Sequence, residues 1–325
     1  GTRPLPYFAA DLDAPVAAAT LATEHSYENA RYVRGVPPYR GFTERVCSLA
    51  GALESALTAT AHPCSYPDLM GYSGLAFRTR WFDNPARVPT AFGDGPWHPV
   101  SPHGEQPDVL RAIEQATGWH LRSEALPPGD RLRREQVTTD LVLSVYAGLP
   151  VVAEYRTDLG VAYGYHIWSM NYLLRHQQAP TDGPWRVGHR DEGLHGPFIF
   201  LTGPESVPDA AAAFAASLRL AVGNYRQRGR EGPFLFGPQA LVAWGQAVAA
   251  ADTLPPADRD LLFLCNWWTL LHLGDARRAA VQFLEEHRGA SAAGAAVHLE
   301  AAAKAYHREA DLVGQYLSAN RALVP

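Results

Sequence analysis

The sequence predicts an α+β protein in which a mixed α/β part is followed by a helical part. Residues 1–203 are rich in Pro, Gly and aromatic residues and contain short apolar runs, which favours short strands and helices. Residues 204–325 are rich in alanine and show helical periodicity instead. The apolar faces of these later helices need a partner surface, so we expect them to dock on the first part.

The elements of the first part are predicted from apolar runs and their Gly or Pro boundaries. Branched and aromatic residues between such boundaries are typical of buried strands. Residues 160–176 predict one long strand or two strands joined by a tight turn. Further strands are expected at 149–155 and 197–201, and helices at 47–58, 107–119 and 133–148.

The second part is predicted to be almost wholly helical. Ser206 is a candidate N-cap, and Pro208 lies in the expected first turn of the first helix. Gly and Pro mark the expected joints between helices. The helices are expected at 206–228, 237–251, 255–274, 275–289 and 291–317.

Charge and hydropathy exclude several classes of partner. The net charge of -5 arises from 33 acidic and 28 basic residues, and no run of Lys or Arg is present. We therefore expect no nucleic-acid partner. The longest apolar stretches, such as residues 261–273, are shorter than a membrane span, so we expect no membrane partner either.

Cysteine usage and the N-terminal residues favour the cytoplasm. The three cysteines have irregular spacing, which gives neither a disulfide framework nor a CxxC zinc pair. The 13 histidines form no HExxH motif, and no GxGxxG or P-loop is present, so we expect no metal and no cofactor. Residues 1–20 lack a basic segment followed by an apolar block, so we expect no signal peptide and a reducing compartment.

Cys47 is the leading candidate for chemistry because it precedes a predicted helix. A thiol is a good nucleophile when it is ionised, and the free N–H groups of a helix N-terminus lower its pKa and can contribute to an oxyanion hole. The alternative is that Cys47 is a small buried core residue. Cys265 lies on an apolar helix and is expected in the core. Cys64 lies in a Pro-flanked loop with no helix predicted behind it, so it is a weaker candidate.

Three segments, in this order, resemble papain-like cysteine peptidases of the bacteriocin-leader peptidase type. They are VPPYRGFTERVCSLAGALESALT, SYPDLMGYSGLAFRTRW and AGLPVVAEYRTDLGVAYGYHIWSMNYLLRH. The sequence is most similar to the branch that contains the N-terminal domain of the butirosin-biosynthesis protein H, in which a Cys opens a helix and a Gly-rich segment like GYSGLAFR follows. The resemblance covers about residues 35–203. It implies a papain-like α+β core with an antiparallel sheet, followed by an all-α C-terminal region.

The resemblance also implies the residues of a catalytic site. Cys47 stands at the nucleophile position, His166 is the candidate base, and Asn171 or Asp182 would orient that His. In a second alignment, His166 stands at the usual Asp position of the family, and the usual His position falls on Gly160 or a neighbouring residue. The family's Gln before the Cys is absent, and Arg40 or Glu44 lies in that stretch instead.

Two functions follow from this resemblance. The first is a cysteine-dependent acyl-transfer or amide-hydrolysing enzyme that acts on a small-molecule, peptide or carrier-linked acyl substrate. The second is a catalytically inactive papain-like protein that binds a peptide or a small metabolite. An exposed Cys47 with a low pKa near an imidazole favours the first function, and an enclosed Cys47 favours the second.

Overall fold

The computed structural model describes most of the chain between residues 29 and 319. The described residues are 29–38, 45–82, 106–126, 129–155, 158–166, 168, 171–176, 185–187, 194–204, 206, 208–227, 230–231, 234–291 and 294–319. Within these segments the protein is mixed α/β, with antiparallel strand pairing. No helix in the described segments combines the length and apolar character needed to cross a membrane.

An antiparallel sheet forms the centre of the first part. Among the described residues its strand order is β3-β8-β4-β5-β6-β7, with β1 paired to β5. The strands predicted at 149–155 and 197–201 are confirmed, since β4 lies within the first range and β8 contains the second. The segment 160–176 contributes to two paired strands rather than one. The strands are β1 (Ala30–Tyr32), β3 (His120–Glu124), β4 (Val151–Tyr155), β5 (Asp158–His166), β6 (Tyr172–Arg175), β7 (Trp185–Val187) and β8 (Leu194–Thr202).

The helices of the first part have clear local signals at their ends. Ser65 caps α2 by accepting a hydrogen bond from the N–H of Asp68, and Asp130 caps α4 by accepting one from the N–H of Arg133. Helix α1 packs on β5 and β4, so its buried face of small residues and leucines joins the core of the sheet. The helices are α1 (Ser48–Thr58), α2 (Tyr66–Tyr72), α3 (Gln106–Thr117) and α4 (Arg131–Tyr146).

The second part contains long helices but is not wholly helical, so the prediction of an all-α region is wrong. Two short strands, β9 (Arg230–Glu231) and β10 (Phe234–Phe236), extend β2 (Arg80–Phe82) into a small antiparallel sheet. Phe234 and Phe236 are buried there with Trp81. A three-residue strand carries little periodic signal, and it is stabilised by a partner strand far earlier in the chain.

The predicted joint between helices 255–274 and 275–289 is also wrong. Residues on both sides of Gly274 belong to one helix, α7 (Pro256–His287). A Cβ at Gly274 would lie 2.9 Å from Cγ1 of Val313, so this glycine permits a close approach of α8 rather than a break in α7. The other helices of this part are α5 (Ala210–Arg226), α6 (Gly237–Ala249) and α8 (Ala296–Ala319).

Helices α7 and α8 pack directly on the first part. Phe283 of α7 lies against the ring of Tyr72 in α2, and the two ring centroids are 5.1 Å apart. The guanidinium of Arg277 is buried and donates hydrogen bonds to the carbonyl oxygens of Ala76 and Arg78. One hydrophobic core therefore continues from the central sheet through α2 into α7 and α8.

Candidate functional site

Cys47 lies directly before α1, as the sequence predicts. Its backbone is extended, with φ -74° and ψ 104°, and its carbonyl oxygen accepts the hydrogen bond from the N–H of Gly51. Cys47 is thus the N-cap residue of α1, although its side chain forms no capping hydrogen bond. This places the thiol beside the free N–H groups of the first helical turn.

The environment of the thiol differs from the expected one. The side chain is 0% exposed, and burial raises the pKa of Cys47 to about 11. The amides of Ala50 and Leu49 lower this pKa, but they are outweighed by burial, and the carboxylate of Asp275 raises it further. The expectation of a lowered pKa at Cys47 is therefore wrong, because burial destabilises the thiolate more than the helix N-terminus stabilises it.

The main-chain N–H of Cys47 is already occupied. It donates a hydrogen bond to the hydroxyl oxygen of Tyr66 over 3.0 Å. The same hydroxyl donates to the Oδ2 atom of Asp275, which comes from α7. Burial raises the pKa of both Tyr66 and Asp275, and the carboxylate also accepts from the N–H of Val46. The N–H expected to line an oxyanion hole is thus engaged by this protein's own side chains.

An ion pair holds Tyr66 in place. Nε of Arg45 lies 2.6 Å from Oε2 of Glu54, and the other carboxylate oxygen of Glu54 accepts the N–H of Tyr66 over 2.9 Å. The guanidinium of Arg45 also lies 4.8 Å from the centre of the Tyr66 ring. We call Arg45, Cys47, Glu54, Tyr66 and Asp275 the Cys47 cluster. Sequence reasoning missed every member except Cys47, since no motif marks the other four.

The contacts of Cys47 described above involve neither His166, the candidate base, nor Asn171. His166 is the last residue of β5, where its N–H donates to the carbonyl oxygen of Asn171 over 2.8 Å. That bond joins two main chains, so it is not the side-chain contact expected between an orienting amide and an imidazole. The side chains that act most on the pKa of Cys47 are Asp275 and Arg78, and neither is a histidine. The catalytic role of His166 stays a prediction.

Other residues implied by the resemblance fall outside the described segments. These are Asp182, the second candidate to orient the base, together with Arg40 and Glu44, which lie where the family has its Gln. Gly160 is described, and its missing Cβ lets the backbone of β5 approach the His176 ring: an added Cβ would lie 3.0 Å from Cδ2 of His176.

The two remaining cysteines differ from each other. Cys265 is buried in the second hydrophobic cluster, as expected. Contrary to the prediction, a helix does begin behind Cys64, because Ser65 caps α2. Burial raises the pKa of Cys64, and the nearby carboxylates of Asp68 and Glu54 raise it further, so this thiol is not activated.

An open groove lies between α3 and α5. Its volume is about 590 Å³, and alanine side chains from both helices line it, including Ala112, Ala116 and Ala216. Charged residues lie along it as well: Asp108 and Arg111 from α3, and Asp209 and Arg219 from α5. Sequence analysis missed this groove, because the two helices that form it are far apart in the chain. Within the described residues, no group of three or more His, Cys, Asp or Glu is placed to hold a metal ion.

The chain was compared with protein-family models, curated proteins and solved structures. No family model, no curated protein and no solved structure matches the chain. The functional interpretation below therefore rests on the Cys47 cluster and the groove between α3 and α5.

Proposed function

We propose that this chain is a papain-like protein that binds a peptide or small metabolite without using Cys47 as a nucleophile. The observation that carries the proposal is the enclosure of Cys47: its thiol is fully buried and its N–H is bonded to Tyr66. A thiol with a pKa of about 11 is ionised in roughly one molecule in ten thousand at pH 7. Neither the nucleophile nor the oxyanion donor is free for an incoming carbonyl group.

The groove between α3 and α5 is the proposed binding site. Its volume of about 590 Å³ is in the range of sites that hold small ligands, roughly 300–1,000 Å³. Its lining combines apolar methyl groups with a few charged side chains, which is the composition expected where polar groups orient a ligand on an apolar surface. The three free cysteines support a reducing cytoplasm as the compartment of this activity.

The second candidate is the cysteine-dependent acyl-transfer or amide-hydrolysing enzyme. One observation favours it: Cys47 caps α1, and the amides of Ala50 and Leu49 stabilise its thiolate. In this candidate Tyr66 and Asp275 move away from the N-terminus of α1, His166 takes the thiol proton, and Asn171 or Asp182 orients His166. The substrate would be a small-molecule, peptide or carrier-linked acyl compound.

Intact-mass analysis distinguishes the two functions. The native protein is incubated at pH 7.5 with p-nitrophenyl acetate, which acylates activated thiols, or with iodoacetamide. We expect Cys47 to stay unmodified in both reactions for as long as the protein stays folded, and to react fully in denaturant. Rapid modification of native Cys47, abolished in Cys47→Ala but not in Cys265→Ala, would overturn the binding proposal in favour of the enzyme.

A further inference from the structure

We propose that the groove between α3 and α5 binds an extended peptide of about four small residues, with its carboxylate at Arg219 and its amino group at Asp209. This inference rests on the proposed binding function and names the ligand class of the same site. It is carried by the relative direction of the two helices, by the placement of charge, and by the length and lining of the groove.

The two helices run in opposite directions along the groove. Gly118 directly follows α3, and a Cβ added there would lie 3.2 Å from Cδ of Pro208, just before α5. The C-terminal end of α3 therefore lies beside the N-terminal end of α5. At this end of the groove the partial charges of the two helix termini offset each other. Helix α5 continues to Arg226, beyond the last residue that lines the groove, so its C-terminus lies outside the groove. The side chains then determine the charge at each end.

One end of the groove is positive. Arg111 and Asp108 of α3 form an ion pair over 3.2 Å and neutralise each other. Arg219 of α5 lies toward the same end, and among the described residues it has no ion-pair partner. Its planar guanidinium can form two parallel hydrogen bonds with a carboxylate. This end is suited to the C-terminal carboxylate of a peptide.

The opposite end is negative. Asp209 caps α5, and its Oδ1 atom accepts the N–H groups of Ala211 and Ala212 over 2.8 and 3.4 Å. Both capping bonds use the same oxygen, which leaves Oδ2 to accept a hydrogen bond from an ammonium group. A ligand with an amino group at this end and a carboxylate at the other would match both charges.

The separation of the two charges sets the ligand length. Asp209 and Arg219 lie ten residues apart on one helix, which corresponds to about 15 Å along its axis. An extended peptide spans roughly 3.3–3.6 Å per residue, so four residues bridge this distance with the reach of the Arg219 side chain. The alanines of the groove, such as Ala112 and Ala216, leave room for a peptide backbone with small side chains.

Isothermal titration calorimetry with tetra-alanine tests the proposal on the full chain. We expect Arg219→Gln to weaken binding about threefold to fivefold, which is the effect of one partly exposed ion pair. Asp209→Asn should weaken it to a similar extent, and Asn preserves the helix cap. Arg226→Gln is the matched control: Arg226 lies in the last turn of α5 but does not line the groove, so binding should not change.

Modified peptides separate the two ends. C-terminally amidated tetra-alanine should bind the native protein more weakly than tetra-alanine does. The Arg219→Gln change should not weaken binding of the amidated peptide further, since the carboxylate that pairs with Arg219 is already missing. Di-alanine, which cannot reach both ends, should bind more weakly still. No binding of tetra-alanine, or an equal effect of Arg219→Gln on both peptides, would overturn the peptide assignment. If tetra-alanine does not bind but a thermal-shift screen of small metabolites finds a ligand, the proposed binding function is kept and only the peptide assignment is wrong. Acylation of native Cys47 would instead contradict the binding function itself.

Discussion

Two opposite effects act on the thiol of Cys47. Its position before α1 brings the amides of Leu49 and Ala50 close, and they favour the thiolate. Its complete burial disfavours the thiolate, and the buried carboxylate of Asp275 adds to that effect. The balance raises the pKa of Cys47 to about 11.

His272 gives a prediction at the residue scale. It is buried in α7, and burial lowers its pKa from 6.5 to about 4. The unfolded chain binds a proton below about pH 6.5 and the folded protein does not, so the free energy of unfolding should fall as the pH drops from 6.5 toward 4. The loss should reach about 3 kcal/mol relative to His272→Gln, which has no imidazole to protonate.

Urea unfolding at pH 7, 5.5 and 4 measures this difference. His298→Gln is the control for the loss of an imidazole, because His298 is exposed on α8. The comparison between variants also cancels the contribution of Asp275, whose raised pKa acts with the opposite sign. Parallel profiles for the native protein and His272→Gln would contradict the prediction.

At the element scale, the contact between α2 and α7 determines what covers Cys47. Gly71 of α2 faces Phe283 of α7 so closely that an added Cβ would overlap the phenyl ring. Phe283 is 0% exposed and has no open space on that side to move into. The same helix pair brings Asp275 to Tyr66, so the enclosure of the thiol depends on this glycine.

Gly71→Ala should therefore lower the free energy of unfolding by about 1–3 kcal/mol, as overpacking of a core does. Gly245→Ala is the matched control: Gly245 lies in α6, no atom lies within 4 Å of its added Cβ, and the change should stabilise the helix by about 0.5–1 kcal/mol. Phe283→Leu combined with Gly71→Ala should cost less than the two changes added together. Denaturant unfolding measures all four proteins, and equal effects of the two Gly→Ala changes would contradict the close packing.

At the scale of the whole molecule, the two parts share one core. Phe283 and Leu299 of the second part belong to the same buried cluster as the leucines of α1 and the valines of β4. Strand β2 lies in the first part, but its pairing partner β10 lies in the second. Neither part buries its apolar surface without the other.

A fragment of residues 1–203 should therefore fail to fold cooperatively. Without α7, the apolar face of α2 that packs against it would be exposed to water, and Tyr66 would lose its partner Asp275. Near-ultraviolet circular dichroism and thermal unfolding of the fragment, compared with the full chain, measure this outcome. A protease fragment that ends near residue 203 and unfolds with its own sharp transition would show that the two parts are independent.

Features that depend on neighbouring residues could be predicted before the structure was known. Strands β4 and β8 were predicted from short branched or aromatic runs between Gly and Pro, and the start of α1 directly after Cys47 was predicted from the small residues that follow. The helical spacing of apolar residues predicted the helices of the second part, since this spacing is a local property of the chain.

The chemistry of the candidate site depends on contacts between residues that are far apart in the chain. Tyr66 and Asp275 lie 209 residues apart in the sequence, yet their side chains meet beside the N-terminus of α1. Burial of the Cys47 thiol there outweighs the effect of the helix N-terminus on its pKa, and Asp275 adds to the effect of burial. Gly274 was predicted to separate two helices, but it permits a close contact between α7 and α8 instead. The three-residue strand β10 depends on β2 for its hydrogen bonds. Burial and long-range partners set these outcomes, because the pKa of a group and the need for a Cβ depend on atoms that the local sequence does not contain.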